Sequence, residues 1–175
     1  MSILSFDVGT KNLAYCRVEK DTNEICDWNV CSIPYAGTNI PKMVEFLKRT
    51  FELSNITTVL VEKQPARNPK MRVIENVLVT YFATMGVPNV MSYSAKHKLG
   101  NVGKTIKGKT NYTMRKKMSV LMCKTYLDKV GSTHKAYFLQ SKKQDDLADC
   151  MLQYLSYIKY DTDSLTSGMI ELSTD

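Results

Sequence analysis

The sequence predicts an α/β domain on a mixed five-stranded sheet, with three antiparallel N-terminal strands plus parallel strands, flanked by helices. Three observations carry this. Three extended segments precede any helical periodicity, Thr57–Glu62 is almost continuously apolar and β-branched, and apolar residues recur at helical spacing around and after the later strands.

Ser2–Asp7 reads as the first strand and ends on a carboxylate. Val8-Gly9-Thr10-Lys11-Asn12 is the turn after it, with glycine able to take a positive φ. The chain resumes in extended form over Leu13–Glu19, turns at Asp21–Glu24 and alternates again over Ile25–Ile33, which completes an antiparallel meander. Pro41 suits the first turn of a helix, and Met43, Val44, Leu47 and Phe51 recur at helical spacing up to about Leu53. Thr57–Glu62 is then a strand buried on both faces, and it too ends on a carboxylate.

Pro65 and Pro69 punctuate a loop. Val73, Ile74, Val77, Leu78, Phe82 and Met85 form the stripe of a second helix stopped by Gly86, and Val87–Tyr93 is the fifth strand. Ser94–Thr113 has no apolar period but holds three glycines and many lysines, the composition of a long functional loop. Met114, Met118, Leu121 and Met122 restore the helical period, with Gly131 as the stop. Ser141-x-x-Gln144 has the form of a capping box for a last helix whose stripe is Leu147, Met151, Leu155 and Ile158. One domain over residues 1–160 and a flexible polar tail over 161–175 are expected.

Composition narrows the function. A 175-residue chain that is 43% hydrophobic and 23% charged can bury a core. No apolar run approaches a transmembrane length, and the first residues lack a basic segment followed by an apolar one, so neither a membrane nor a secretory route is expected. Five cysteines (Cys16, Cys26, Cys31, Cys123, Cys150) without a C-x-x-C pair, and only His97 and His134, argue for a reducing intracellular compartment and against zinc.

The net charge of +7 is strongly segregated. Residues 96–143 hold 13 Lys+Arg against one acid, Asp128, which is +12; the rest hold 11 against 16, which is −5. Such a block is the footprint of a protein that neutralises phosphates and releases their counterions, although a lysine-rich surface can also serve solubility alone.

Four acids stand where a fold could gather them: Asp7 and Glu62 at strand ends, and Asp146 and Asp149 at i and i+3 on the last helix. Asp145 could also reach Asp149 at i+4. Carboxylates that close repel one another unless a hard, oxygen-seeking cation such as Mg²⁺ or Mn²⁺ neutralises them, and two such ions can activate water for phosphodiester hydrolysis. Taken singly, each acid has a simpler explanation: Asp145 and Asp146 favour the helix macrodipole, Asp7 could start a turn, and Glu62 could sit in a buried salt bridge.

The order of strands, helices and acids is that of the RNase H-like nucleases. Ile3-Leu-Ser-Phe-Asp-Val-Gly-Thr-Lys-Asn12, Val59-Leu-Val-Glu-Lys-Gln-Pro65 with Arg67 and Pro69, Arg115-Lys-Lys-Met-Ser-Val120 and Lys142-Lys-Gln-Asp-Asp-Leu-Ala-Asp149 resemble the RuvC-type Holliday-junction resolvases of poxviruses and related large DNA viruses. The resemblance implies an RNase H-like homodimer that uses Mg²⁺, with Mn²⁺ able to substitute, to make paired cuts in four-way and branched DNA. Such an enzyme serves DNA recombination, repair and viral genome processing at the replication site of an infected cell. It assigns Asp7, Glu62, Asp146 and Asp149 as metal ligands and Lys116 or Lys117 as the active-site lysine. Lys11, Arg67, Arg115 and the loop lysines Lys104, Lys107 and Lys109 would grip the DNA backbone.

Two rivals remain at this stage. Gly103–Thr110 satisfies the P-loop pattern but has no strand directly before it and no later strand with a second acid, as nucleotide hydrolysis would need. A non-catalytic basic DNA-binding protein would need the lysine block but no convergence of the acids. Trp28, the cysteines and the methionines are assigned to packing.

Overall fold

β1 (Ser2–Val8) is the middle strand of the sheet, and its two neighbours set the architecture. β2 (Asn12–Glu19) runs antiparallel to it with Phe6 opposite Tyr15, and β3 (Ile25–Ser32) runs antiparallel to β2. On the other side β4 (Ile56–Glu62) is parallel to β1 and β5 (Asn89–Tyr93) parallel to β4, so the order is β3-β2-β1-β4-β5. The mixed sheet expected from the sequence is therefore present, with each strand within two residues of its expected start. A computed structural model of the chain describes residues 1–33, 39–94, 96, 98, 111–160 and 165.

Helix α1 (Ile40–Thr50) lies in the crossover between β3 and β4, and α2 (Pro69–Thr84) in the crossover between β4 and β5. The Asn39 side chain accepts the Lys42 N–H at 3.2 Å and proline stands in the first turn, so α1 starts where its sequence signals it. Both helices lay apolar faces on one core: Leu4, Phe6 and Val8 of β1, Leu13 and Tyr15 of β2, Val59 and Val61 of β4, Met43 and Leu47 of α1, and Ile74, Leu78 and Phe82 of α2. α1 stops at Thr50 rather than near Leu53, because Phe51 turns to extended backbone and inserts its ring edge-on between Phe6 (5.2 Å) and Tyr15 (4.8 Å). The alternate positions Ile3, Ser5, Cys16, Val18 and Leu60 are buried as well, which is why the central strands read as continuous apolar runs.

Residues 1–94 make one compact unit and residues 95–175 a second. In the second, α3 (Asn111–Lys129) packs on α5 (Gln144–Tyr157), with the short α4 (Lys135–Gln140) between them in sequence. The core face of α3 is Ser119, Met122, Cys123, Tyr126 and Leu127, while Met114 and Leu121 are exposed. The expected Met114–Met118–Leu121–Met122 stripe is thus rotated: apolar residues occupy both sides of this helix, and packing against α5 selects the other one. The capping box does not form either. The Ser141 hydroxyl accepts the Lys143 N–H at 3.1 Å, and the Gln144 side chain donates to the Leu139 carbonyl at 2.8 Å, so this pair closes the unforeseen α4 instead of capping α5. Residues 161–164 and 166–175, the expected tail, lie outside the described residues.

Candidate active site

In the first unit, strand pairing brings two of the expected acids together. Ser5 is in parallel register with Leu60 and Phe6 with Val61, so Asp7 and Glu62 are the next residues out on neighbouring strands. Phe6 and Val61 point into the helix-covered core, and the alternation of a strand therefore turns Asp7 and Glu62 to the same opposite face. Both are half-buried. Tyr93 of β5 is paired with Glu62 on its other side.

The turns that leave these strands are fixed by specific contacts. Gly9 donates its N–H to the Asn12 carbonyl at 3.0 Å, and a Cβ at position 9 would lie 2.7 Å from that same oxygen. Glycine is required there by close approach and not by the positive φ that its place in a turn suggested. After β4 the chain turns through Gln64, whose side-chain amide donates to the Glu62 carboxylate at 2.9 Å and to the Glu62 carbonyl at 3.1 Å. Lys11 and Arg67 are exposed on these two turns.

In the second unit α5 carries Asp145 and Asp146 in its first turn and Asp149 one turn later. From Leu147 to Leu155 the helix is buried at every position except Asp149, whose carboxylate is 29% exposed. Each acid meets a lysine from a different stretch of chain. Lys116 of α3 pairs with Asp145, Lys143 stands 3.5 Å from Asp146, and Lys98 stands 3.7 Å from Asp149. Lys98 is only 4% exposed, and an ammonium that deeply buried needs such company.

These pairs shape the ionisation of the site. Burial raises the Asp145 pKa, but the hydrogen bond and charge of Lys116 outweigh it and hold the carboxyl below its ordinary value. Asp146 is pushed up, first by burial and then by the neighbouring Asp145 charge. Lys116 is pushed above the usual lysine range: burial opposes its charge, but hydrogen bonds to Asp145 and Tyr112 prevail, and its ammonium lies 5.2 Å over the Tyr112 ring. Lys117 and Arg115 are exposed beside it on α3. Lys116, Lys117, Lys124 and Lys142 line a cleft of about 560 Å³ together with Asp145.

Among the described residues no three His, Cys, Asp or Glu side chains are gathered closely enough to hold one ion. The donors occur as pairs, Asp7 with Glu62 in one unit and Asp146 with Asp149 in the other. In kind they fit a hard divalent cation, since they are carboxylate oxygens, and burial, followed by the Asp145 charge, disfavours the ionised form of Asp146 that a cation would favour. Lys104, Lys107 and Lys109, with the P-loop-like Gly103–Thr110, lie outside the described residues. Sequence reasoning missed Lys98, hidden in a lysine-rich segment, and Glu75, a buried acid on α2 that accepts the Gln64 N–H at 2.8 Å. Glu75 left one signal, a charge next to Ile74 on the apolar face of the helix.

The family model described as Poxvirus A22 protein matches residues 1–161. Among solved structures, the chain is similar to the fowlpox virus resolvase in complex with substrate Holliday junction DNA. The identity is 23% with a TM-score of 0.62, covering 94% of this chain and 99% of that one. The fowlpox virus Holliday junction resolvase alone is 22% identical with a TM-score of 0.62, covering 91% and 98%. Thermus thermophilus RuvC in complex with a Holliday junction substrate is 16% identical with a TM-score of 0.53, covering 93% and 97%. No curated protein matches the chain. The fold is the RNase H-like fold of the RuvC-like resolvases. Among the described residues no helix is long and apolar enough to cross a membrane.

Proposed function

The chain belongs to the Poxvirus A22 protein family, and from that premise we propose that it is a Holliday-junction resolvase, a metal-dependent endonuclease that makes paired cuts in four-way and branched DNA. The observation that carries this reading is the placement of Asp7 and Glu62 side by side at the ends of parallel strands, in a chain whose family match also spans the acids of α5.

The resemblance assigns Asp7 and Glu62 in the first unit, and Asp146 and Asp149 in the second, as the carboxylates that would hold a divalent cation, Mg²⁺ with Mn²⁺ able to replace it. A divalent cation held by these carboxylates would supply Lewis-acid chemistry, acidifying water and offsetting negative charge on the phosphoryl oxygens. The protein supplies placement. The sheet fixes Asp7 and Glu62 on one face, and burial of α5 fixes Asp149. Lys116, held charged at any physiological pH, is the group that steadies the scissile phosphate as negative charge grows on it. Lys11, Arg67, Arg115, Lys117 and the loop lysines Lys104, Lys107 and Lys109 bear on the backbone of the junction arms. Paired cuts in opposing strands require two copies of this site related by a two-fold, hence a homodimer, acting where the viral genome is replicated in the infected cell.

The test incubates the pure protein with a four-way junction, a linear duplex and ATP, in Mg²⁺ and in EDTA, beside Asp7→Asn. Junction cleavage that disappears in EDTA and falls at least about 1000-fold in Asp7→Asn is expected. Junction binding without cleavage would favour the non-catalytic DNA-binding rival, and ATP hydrolysis without cleavage would favour the P-loop one.

A further inference from the structure

We infer that Glu75, outside every motif of the proposed chemistry, is a positioning residue that sets the metal affinity of the site through Gln64; the inference rests on the reading of Glu62 as a metal ligand. Glu75 projects from the core face of α2 and is 6% exposed. One of its oxygens accepts the backbone N–H of Gln64 at 2.8 Å and the other accepts the Ser92 hydroxyl at 2.6 Å. Ser92 of β5 is paired with Val61 of β4, one position before Tyr93 and Glu62 face each other. A single buried carboxylate thus ties α2 to the strand on one side of Glu62 and to the turn that follows it.

A buried carboxylate is costly and is retained only where its bonds matter. Here the outcome of those bonds is directional. With its N–H anchored on Glu75, Gln64 is 6% exposed and its side chain folds back onto Glu62, donating to the carboxylate at 2.9 Å and to the backbone carbonyl at 3.1 Å. The amide must present its NH₂ group there, because its oxygen would repel both acceptors. Glu62 is therefore steered by Gln64, and Gln64 is held by Glu75. An outer partner of this kind orients a ligand before the ion arrives, and its loss typically costs about 10- to 100-fold in metal affinity.

The experiment titrates the metal-free full-length protein with Mn²⁺, followed by water-proton relaxation, for wild type, Glu62→Gln, Gln64→Ala, Glu75→Ala and the Gln64/Glu75 double variant. Thermal unfolding checks each fold. Gln64→Ala and Glu75→Ala should each weaken Mn²⁺ binding about tenfold, and the double variant no further, because both act through one contact. Glu75→Gln should restore most of the binding, since its amide oxygen can still accept the Gln64 N–H while Ser92 turns to accept from its NH₂. Losses that multiply to about 100-fold in the double variant would overturn the proposed route. Wild-type binding in a folded Glu75→Ala, beside lost binding in Glu62→Gln, would overturn this inference alone; wild-type binding in Glu62→Gln would remove the reading of Glu62 and this inference with it. Should Glu75→Ala not fold, Ser92→Ala carries the test: a roughly threefold loss that vanishes in the Gln64→Ala background supports the proposal, and no loss overturns it.

Discussion

Lys116 and Lys117 are neighbours on α3 with the same charge, and the structure separates them by surroundings. Lys116 is half-buried, bonded to Asp145 and seated over Tyr112, so its ammonium is held in one place; Lys117 is exposed. A preorganised cation serves a developing charge, whereas a solvated one serves binding. Lys116→Ala is expected to slow cleavage of bound junction about 10²- to 10³-fold with little loss of binding. Lys117→Ala should leave the cleavage rate near wild type and lower the slope of log affinity against log salt by about 1. Single-turnover cleavage and salt titrations would measure both, and the reverse pattern would exchange their roles. Cys31 makes a different kind of prediction. Burial, reinforced by the Asp27 charge, pushes its thiol up to about 11 from 9.0, and its Sγ donates to the Leu13 carbonyl at 3.4 Å. The folded state therefore keeps a proton that the unfolded chain releases first. Its contribution to stability is intact below pH 9 and is lost as pH rises toward 11. With solvent screening at this half-exposed site the loss is about 1 kcal/mol or less. Urea unfolding of wild type and Cys31→Ala should thus converge between these pH values, and a constant gap between them would contradict the shift.

At the scale of elements, the turn from β1 to β2 ties a small residue, Gly9, to the placement of Asp7, a proposed metal ligand. Gly9→Ala would set a methyl group 2.7 Å from the Asn12 carbonyl, and because that atom is backbone the turn itself must open. Stability should fall by about 1–3 kcal/mol, and cleavage should fall with it because Asp7 lies only two residues earlier, near the end of β1. Unchanged unfolding and unchanged cleavage would show that the turn yields without moving Asp7. The central strands were legible in the sequence because burial on both faces leaves an unambiguous apolar run, as in Thr57–Glu62. The faces of helices were less so: α3 has Met114 and Leu121 on one side and Met122 and Leu127 on another, and only the partner helix decides between them. Ser141 and Gln144 had the right spacing for a capping box, but their bonds went to Lys143 and Leu139. The candidate site divides in the same way. Asp7 and Glu62 stand out as carboxylates ending apolar strands, and Asp146 and Asp149 by their i, i+3 spacing on the last helix, whereas Lys98 and Glu75 acquire their roles from contacts with residues distant in the chain.

At the scale of the whole molecule, the segregation of charge along the chain divides most of the proposed DNA grip from the proposed metal ligands. The +12 block over residues 96–143 holds one acid, and the four acids proposed as metal ligands all lie in the remainder, whose net charge is −5. A metal site needs local negative charge to keep its cation, while a polyanionic substrate is repelled by that same charge. Three cations of the block, Lys98, Lys116 and Lys143, stand against the acids of α5, whereas the loop lysines Lys104, Lys107 and Lys109 are proposed to bear on DNA alone. This division has a measurable consequence. Replacing Lys104, Lys107 and Lys109 by alanine removes three charges from the block and none from the site. If each meets a phosphate, the slope of log affinity for a four-way junction against log salt should become shallower by about 0.9 per lysine, or about 2.7 in all. Cleavage of saturated junction should meanwhile stay within a few-fold of wild type, since no proposed ligand and neither Lys116 nor Lys117 has changed. A slope that does not move would assign the block to solubility, and a collapse of cleavage at saturation would place these lysines at the scissile phosphate instead of along the arms.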